Sequence, residues 1–139
     1  MSNHSRSRHV SAPPERVWDL WSNTSTWASW NPSVKSMEPG RRLEMGVDTT
    51  MHTNDGRHHL MKVVDMKPGR SFSMQTSPVP LSRFTFTCTV EPTEGGSTIS
   101  QSVSMGGLMG GVMSATGGDR VAAGFEPILE GLARAAESS

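Results

Sequence analysis

The chain has 139 residues, with 13 basic and 13 acidic side chains and a formal net charge of zero. That length suits one domain able to bury a core without disulfides or metal, and the neutral balance excludes the electrostatic footprint of a nucleic-acid or acidic-membrane binder. A lone cysteine, Cys88, cannot close an intramolecular disulfide, the first residues hold no apolar signal region, and no apolar run approaches the ~20 residues of a spanning helix, so a cytoplasmic protein without a membrane span is expected.

Residues 3–10 alternate His4, Arg6, Arg8 and Val10 with Ser5, Ser7 and His9, a period of two with little apolar content. If Val10 points inward, Arg8 and with it Arg6 share its face; these arginines are either solvated on a frayed edge segment or cations at an interior wall. Ser11 is placed to cap a helix, and Pro13 and Pro14 suit its first turn, where a missing N–H has no helical partner to lose. Val17, Leu20 and Trp21 fall at i, i+3 and i+4, and Ser22-Asn23-Thr24 ends the stripe. Trp27 and Trp30 repeat the spacing in a second short helix, closed by Asn31-Pro32 because the residue before proline disfavours helix. All four tryptophans thus sit in one helical elbow, where their large side chains carry much of the burial.

The string from Ala12 to Leu20, Ala-Pro-Pro-Glu-Arg-Val-Trp-Asp-Leu, followed by Trp27-Ala28-Ser29-Trp30-Asn31-Pro32, resembles the opening of the START and birch-pollen-allergen (SRPBCC) superfamily. Within it, the likeness is to the bacterial polyketide cyclase/dehydrase and lipid transport family. The resemblance implies an α+β helix-grip fold over residues 1–139: a curved antiparallel β-sheet wrapped around a long C-terminal α-helix, two short helices after the first strand, and a ligand cavity between sheet and helix. It says little about the ligand, since one fold hosts many functions.

Val34 to Glu38 reads as a short strand and Pro39-Gly40 as a turn. From Leu43 to Thr53, apolar residues and threonines alternate with polar ones, and Asn54-Asp55-Gly56 marks a hairpin. With a two-residue Asp-Gly turn, or a four-residue loop in the same register, Met45 faces Met66, Val47 faces Val64, Thr49 faces Lys62, Met51 faces Leu60 and Thr53 faces His58. That set is expected on the inner face. Phe72, Met74 and Thr76 form one face of the next strand, which Pro78-Val79-Pro80 breaks. Phe84, Phe86, Cys88 and Val90 alternate with Arg83, Thr85, Thr87 and Thr89; after a hairpin at Glu94-Gly95-Gly96, Ile99, Gln101, Val103 and Met105 share a face.

The stretch from Met105 to Met113, rich in glycine and methionine, matches neither a phosphate loop nor a dinucleotide fingerprint. By resemblance it lies near the cavity mouth as a deformable apolar gate; an irregular start to the last helix is the other reading, and glycine supports both. Gly117-Gly118-Asp119 is expected to restart the helix, with Val121, Phe125, Ile128, Leu129, Leu132, Ala133 and Ala136 as its buried stripe and Pro127 as a kink or division.

His52, His58 and His59 cluster at the hairpin, and the register above sets His52 opposite His59; without further ligands this is at most half a metal site, and no metal or cofactor is expected. His58 on the inner face is an acid/base candidate, and Lys62 inside a sheet must meet a carboxylate, reach solvent or contact an anionic or carbonyl-bearing ligand. No Ser-His-acid, zinc or paired-carboxylate pattern occurs.

The expected function is noncatalytic binding or transport of a small hydrophobic or amphipathic ligand, a lipid, polyketide or similar. Its apolar lining would come from the elbow (Trp21, Trp27, Trp30), the hairpin (Met45, Val47, Met51, Leu60, Val64), the later strands (Phe72, Met74, Phe84, Phe86, Val103, Met105), the glycine-methionine stretch (Leu108, Met109, Val112) and the last helix (Phe125, Leu129). Arg8, Thr49, His58, Lys62 and Gln101 would supply polar contacts. Two alternatives stay open. A polyketide aromatase/cyclase or dehydratase would use His58 or Lys62, and a protein-interaction module like the superfamily's chaperone activators would show an exposed apolar patch at the elbow. A homodimer is left open as well.

Overall fold

The computed structural model describes residues 3–40, 42–76, 83–106 and 123–138. In chain order these form β1 (Asn3–Val10), α1 (Pro14–Ser22), a 3-10 turn (Thr24–Thr26), α2 (Trp27–Trp30), β2 (Val34–Glu38), β3 (Asp48–Thr53), β4 (His58–Lys67), β5 (Ser71–Thr76), β6 (Arg83–Thr93), β7 (Gly96–Gly106) and α3 (Phe125–Glu137). The strands make one curved antiparallel sheet in the order β1-β7-β6-β5-β4-β3-β2, with α3 against its inner face. The expected strand over residues 3–10 exists and is an edge of the sheet, where inward-pointing arginines are tolerated because their ends reach solvent.

Pro14 occupies the first position of α1, as its fixed φ favours. Ser11 does not cap that helix: Pro13 stands at the N-cap, and the Ser11 N–H instead donates to Glu137 Oε2 at 2.9 Å, tying the start of the elbow to the end of α3. Trp27 Nε1 donates to the Trp21 carbonyl at 3.0 Å and Trp30 Nε1 to Thr26 Oγ1 at 3.2 Å, so two buried indoles keep their polar edge satisfied. Phe72 of β5 stands among Trp18, Trp21 and Trp27 with ring centroids 6.3, 5.5 and 6.0 Å away. The elbow is therefore fastened to the middle of the sheet.

The helix α3 buries Phe125, Leu129, Leu132, Ala133 and Ala136 in the same core, as the sequence stripe predicts. Pro127 is its third residue, in the first turn, where the N–H it lacks would have no intrahelical partner. The proline belongs to the start of this helix and causes no kink within it. Gly131 is mid-helix, where glycine costs ~1 kcal/mol against alanine. The position requires it, since a Cβ there would lie 2.0 Å from the Trp30 carbonyl oxygen.

The β3–β4 hairpin departs from the expected register. Thr53 N–H donates to Arg57 O at 2.9 Å, leaving Asn54, Asp55 and Gly56 as a three-residue loop with Gly56 at φ +88°. Thr49 consequently pairs with Met61, Met51 with His59 and His52 with His58. One residue of slip moves every β4 side chain to the other face. The strand expected from Leu43 starts only at Asp48: Leu43 is drawn to the elbow, its N–H donating to Ser22 O at 2.8 Å, while Gly46 N–H donates to Val63 O and Val63 N–H to Val47 O.

Candidate functional site

Cross-strand pairing assigns the inner face. Arg6 lies opposite Gln101, Arg8 opposite Ile99 and Val10 opposite Ser97; Gln101 faces Cys88, Val103 faces Phe86, and Ile99 faces Val90. Phe72, Met74 and Thr76 of β5 pair with Cys88, Phe86 and Phe84, and Met51 pairs with both Met37 and His59. Directly opposed residues in an antiparallel pair share a face, so these positions form a single interior wall.

Most of that wall is sealed. Val10, Ile99, Val103 and Val90 are fully buried, and Phe72, Met74, Phe84, Met61, Val63 and Leu129 nearly so. A strip crossing it is not: Arg6 and Gln101 at the β1 end, Phe86 and Thr76 in the middle, and His59 and Met51 at the far end are half-buried. Phe86 touches Phe125 of α3 edge-on at 6.2 Å and Phe84 at 6.4 Å. At these six residues the inner face keeps polar and apolar side chains within reach of solvent.

The site residues expected from the sequence divide accordingly. Phe72, Met74, Phe84, Phe86, Val103 and Gln101 lie on the interior wall, and Phe125 and Leu129 on the helix facing it. Trp21, Trp27 and Trp30 are buried in the elbow core. Thr49 is buried and its hydroxyl donates to the Pro39 carbonyl at 3.0 Å, so it has no polar group to spare. Val47 and Met51 pack against the core from its margin. Arg8 is on the inner side of the edge strand and exposed. Met105 is described only through its backbone, opposite Phe84, while Leu108, Met109 and Val112 lie outside the described residues.

Five expectations are corrected. Leu60 is 62% exposed and Met45 57%, so neither lines an interior. Lys62 pairs with Asp48 and Gln75 on the outer face and is exposed, as is His58. Both polar interior candidates of β4 fall away for the same reason, the three-residue loop. Val64 is half-buried at a register irregularity between Val63 and Asp65, and the apolar residues that β4 turns inward are Met61 and Val63. The histidine that β4 does turn inward is His59. Asn-Asp-Gly was the signal for it, because a glycine in the left-handed region closes three-residue loops as readily as two-residue ones.

Outside the wall, His52 and His58 stand together with ring centroids 6.1 Å apart, and His52 Nε2 is 3.4 Å from Glu38 Oε1. Among the described residues no group of three or more His, Cys, Asp or Glu is placed to hold a metal ion. Cys88 is buried beside Gln101 and Phe72, and burial pushes its thiol up to about 12; it is a packing residue with no thiolate to offer. A groove of about 700 Å³ runs outside the grip between α2 and α3, lined among others by Trp30, Pro32, Glu130, Gly131 and Arg134. Its two charged residues are paired with each other.

A seven-stranded antiparallel sheet closed on a C-terminal helix, with a tryptophan-rich helical elbow after the first strand, defines a START-like helix-grip protein of the SRPBCC superfamily. The chain belongs to the polyketide cyclase/dehydrase and lipid transport family, whose model matches residues 1–137. Protein MLL2253 from Mesorhizobium loti is similar in structure, with 18% identity, a TM-score of 0.77, and coverage of 99% of this chain and 98% of that one. Protein XoxI from Bacillus cereus shares 20% identity at a TM-score of 0.77, over 98% of this chain and 96% of that one. DynU16, from the dynemicin biosynthetic locus, shares 18% identity at a TM-score of 0.77, over 96% of this chain and 46% of that one. At these identities the likeness is one of fold. No curated protein matches the sequence. Among the described residues, no helix is long and apolar enough to cross a membrane.

Proposed function

We propose that this chain binds a small hydrophobic or amphipathic molecule, a lipid or a polyketide-like compound, against the interior wall between sheet and α3, and that it acts as a binder or carrier. The observation that carries the reading is the half-buried strip from Arg6 and Gln101 through Phe86 and Thr76 to His59 and Met51, on a face that is mostly sealed. An apolar body would lie on Phe86 and the methionine end, and a polar end would meet Arg8 and Gln101. Family membership supports the same class of ligand. A cytoplasmic setting belongs to this proposal, supported by a lone cysteine that is buried and unpaired.

Native mass spectrometry of freshly purified protein, followed by denaturing extraction, tests the reading. A copurifying apolar molecule at one per chain is the expected result. An apo mass together with failure of any apolar fluorophore to bind saturably would overturn it.

A cyclase or dehydratase acting on the same ligand class is the second reading, and the inward placement of His59 is what favours it. Imidazole titrates near neutral pH and is the usual proton carrier in such chemistry. In that case His59→Ala removes turnover at least roughly a hundredfold, the scale of general acid–base catalysis, while ligand binding persists; unchanged turnover eliminates the histidine. The elbow tryptophans are buried or, for Trp18, half-buried, so the exposed aromatic patch on which a partner-docking reading would rest is not found there.

A further inference from the structure

Every inner-face position of β1 from Arg6 to Val10 is known, and two of the three are arginines. One arginine at a sheet edge is enough to discourage edge-to-edge pairing. Two of them, set opposite Gln101 and Ile99, form a set of donors beside a dry core, since Ile99 and Val10 are fully buried. Among the described residues the side chains of Arg8 and Gln101 have no hydrogen-bonding or ionic partner. Arg6 donates to the Ser5 carbonyl at 2.8 Å and stands 3.8 Å from Glu126 Oε1.

Two of the three acidic groups that α3 carries are engaged elsewhere. Glu130 is held by Arg134, and Glu137 accepts the Ser11 N–H. Only Glu126 addresses the arginines, at long range and with a side chain 70% exposed. Such a pair is worth little and is readily exchanged for a better placed anion.

We propose that the molecule held on the interior wall carries a carboxylate, received by Arg6, Arg8 and Gln101, with Glu126 as the resident group it displaces; this rests on the binding reading above. Guanidinium forks match a carboxylate in two-point geometry, and the Gln101 amide adds a neutral donor. Two guanidinium charges favour an anionic head over a neutral or cationic one. The apolar body then runs from Gln101 along Val103 and Phe86 toward Phe125, neighbours on the same wall. The ligand class is an amphipathic carboxylic acid.

The experiment uses the full chain loaded with Nile red, a neutral apolar fluorophore, displaced by dodecanoate, dodecanol or dodecylamine. Dodecanoate displaces the dye at roughly tenfold lower concentration than dodecanol, the scale of one charge-assisted pairing, and dodecylamine is the weakest of the three. The double variant Arg6→Gln, Arg8→Gln erases the difference between dodecanoate and dodecanol. Glu126→Gln, which leaves the arginines in place, enlarges it. Equal displacement by all three compounds in the unmodified protein overturns the carboxylate assignment while the binding reading stands. No displacement by any of them overturns the binding reading and this inference with it.

Discussion

The two faces of the sheet are built by the same strands with opposite chemistry. Inside, β6 and β7 present Phe84, Phe86, Cys88, Val90, Ile99 and Val103. Outside, hydroxyl residues line up across strands: Ser7, Ser100, Thr89 and Ser71 in one row, Ser5, Ser102, Thr87 and Ser73 in the next. Neighbours within the rows bond to each other, Ser7 to Ser100 at 2.9 Å and Ser73 to Thr87 at 2.8 Å. Where the two faces differ this much, alternation alone fixes which side is in. The contrast fades at β4, which shows Met61 and Val63 to the core and Leu60 and Lys62 to solvent, so each face carries an apolar residue. There the loop decides the face, and the loop is a matter of one residue.

The largest expected effect tests that assignment directly. Met61→Lys places an unpaired ammonium at a position 4% exposed and costs more than about 3 kcal/mol, enough to unfold many domains of this size. Leu60→Lys, its neighbour on the outer face, changes stability by less than about 0.5 kcal/mol. Urea denaturation of the two variants compares them; similar losses would mean that β4 has no fixed inner face.

A smaller effect is expected from shortening the loop. Asn54 also bonds outward, its N–H donating to Ser33 O at 3.1 Å and its side-chain amide to Pro32 O at 2.7 Å, so Asn54→Ala serves as the control and costs about 1 kcal/mol. Deleting Asn54 leaves a two-residue Asp-Gly turn still flanked by Thr53 and Arg57, so the pairing of β3 with β4 and the inward placement of Met61 and Val63 are kept, and what is lost is the bonding of Asn54. Deletion therefore costs about as much as the control, ~1 kcal/mol. A loss of about 2 kcal/mol or more beyond the control would mean that the third loop residue itself holds the register.

What the sequence disclosed follows the same physics. The elbow was legible because prolines, a short apolar stripe and paired tryptophans all act locally, and β6 and β7 because Phe and Val alternate with Ser and Thr. The inner placement of Arg6 and Arg8 was legible from period two once Val10 was taken as buried. The role of Gly131 was not, since it answers to the Trp30 carbonyl a hundred residues away in the chain. Pro127 suggests a kink or a division; within α3 there is no kink, because the proline stands in its first turn, and the residue at which that helix begins is set by tertiary context. His58 and Lys62 were placed inside by a turn length that Asn-Asp-Gly leaves ambiguous, and that one choice exchanged them for His59 and Met61.

The smallest effect resides in the loop itself. The Thr53 hydroxyl donates to Asp55 Oδ1, and the Arg57 N–H donates to the same oxygen at 3.1 Å. These bonds hold the Asp55 carboxyl below the ordinary carboxylate range, the Thr53 hydroxyl contributing most and the Arg57 N–H next. A carboxyl whose folded value is depressed contributes stability that is present above its unfolded value and is lost as pH falls through the folded one. Asp55→Asn should therefore lower stability slightly at neutral pH, and the gap between variant and parent should close in strong acid, where the parent aspartate is also uncharged. Paired thermal melts across that range measure the gap. If it were constant with pH, the loop would be held by backbone geometry at Gly56, with its φ of +88°, and the Asp55 charge would play no part in setting the register.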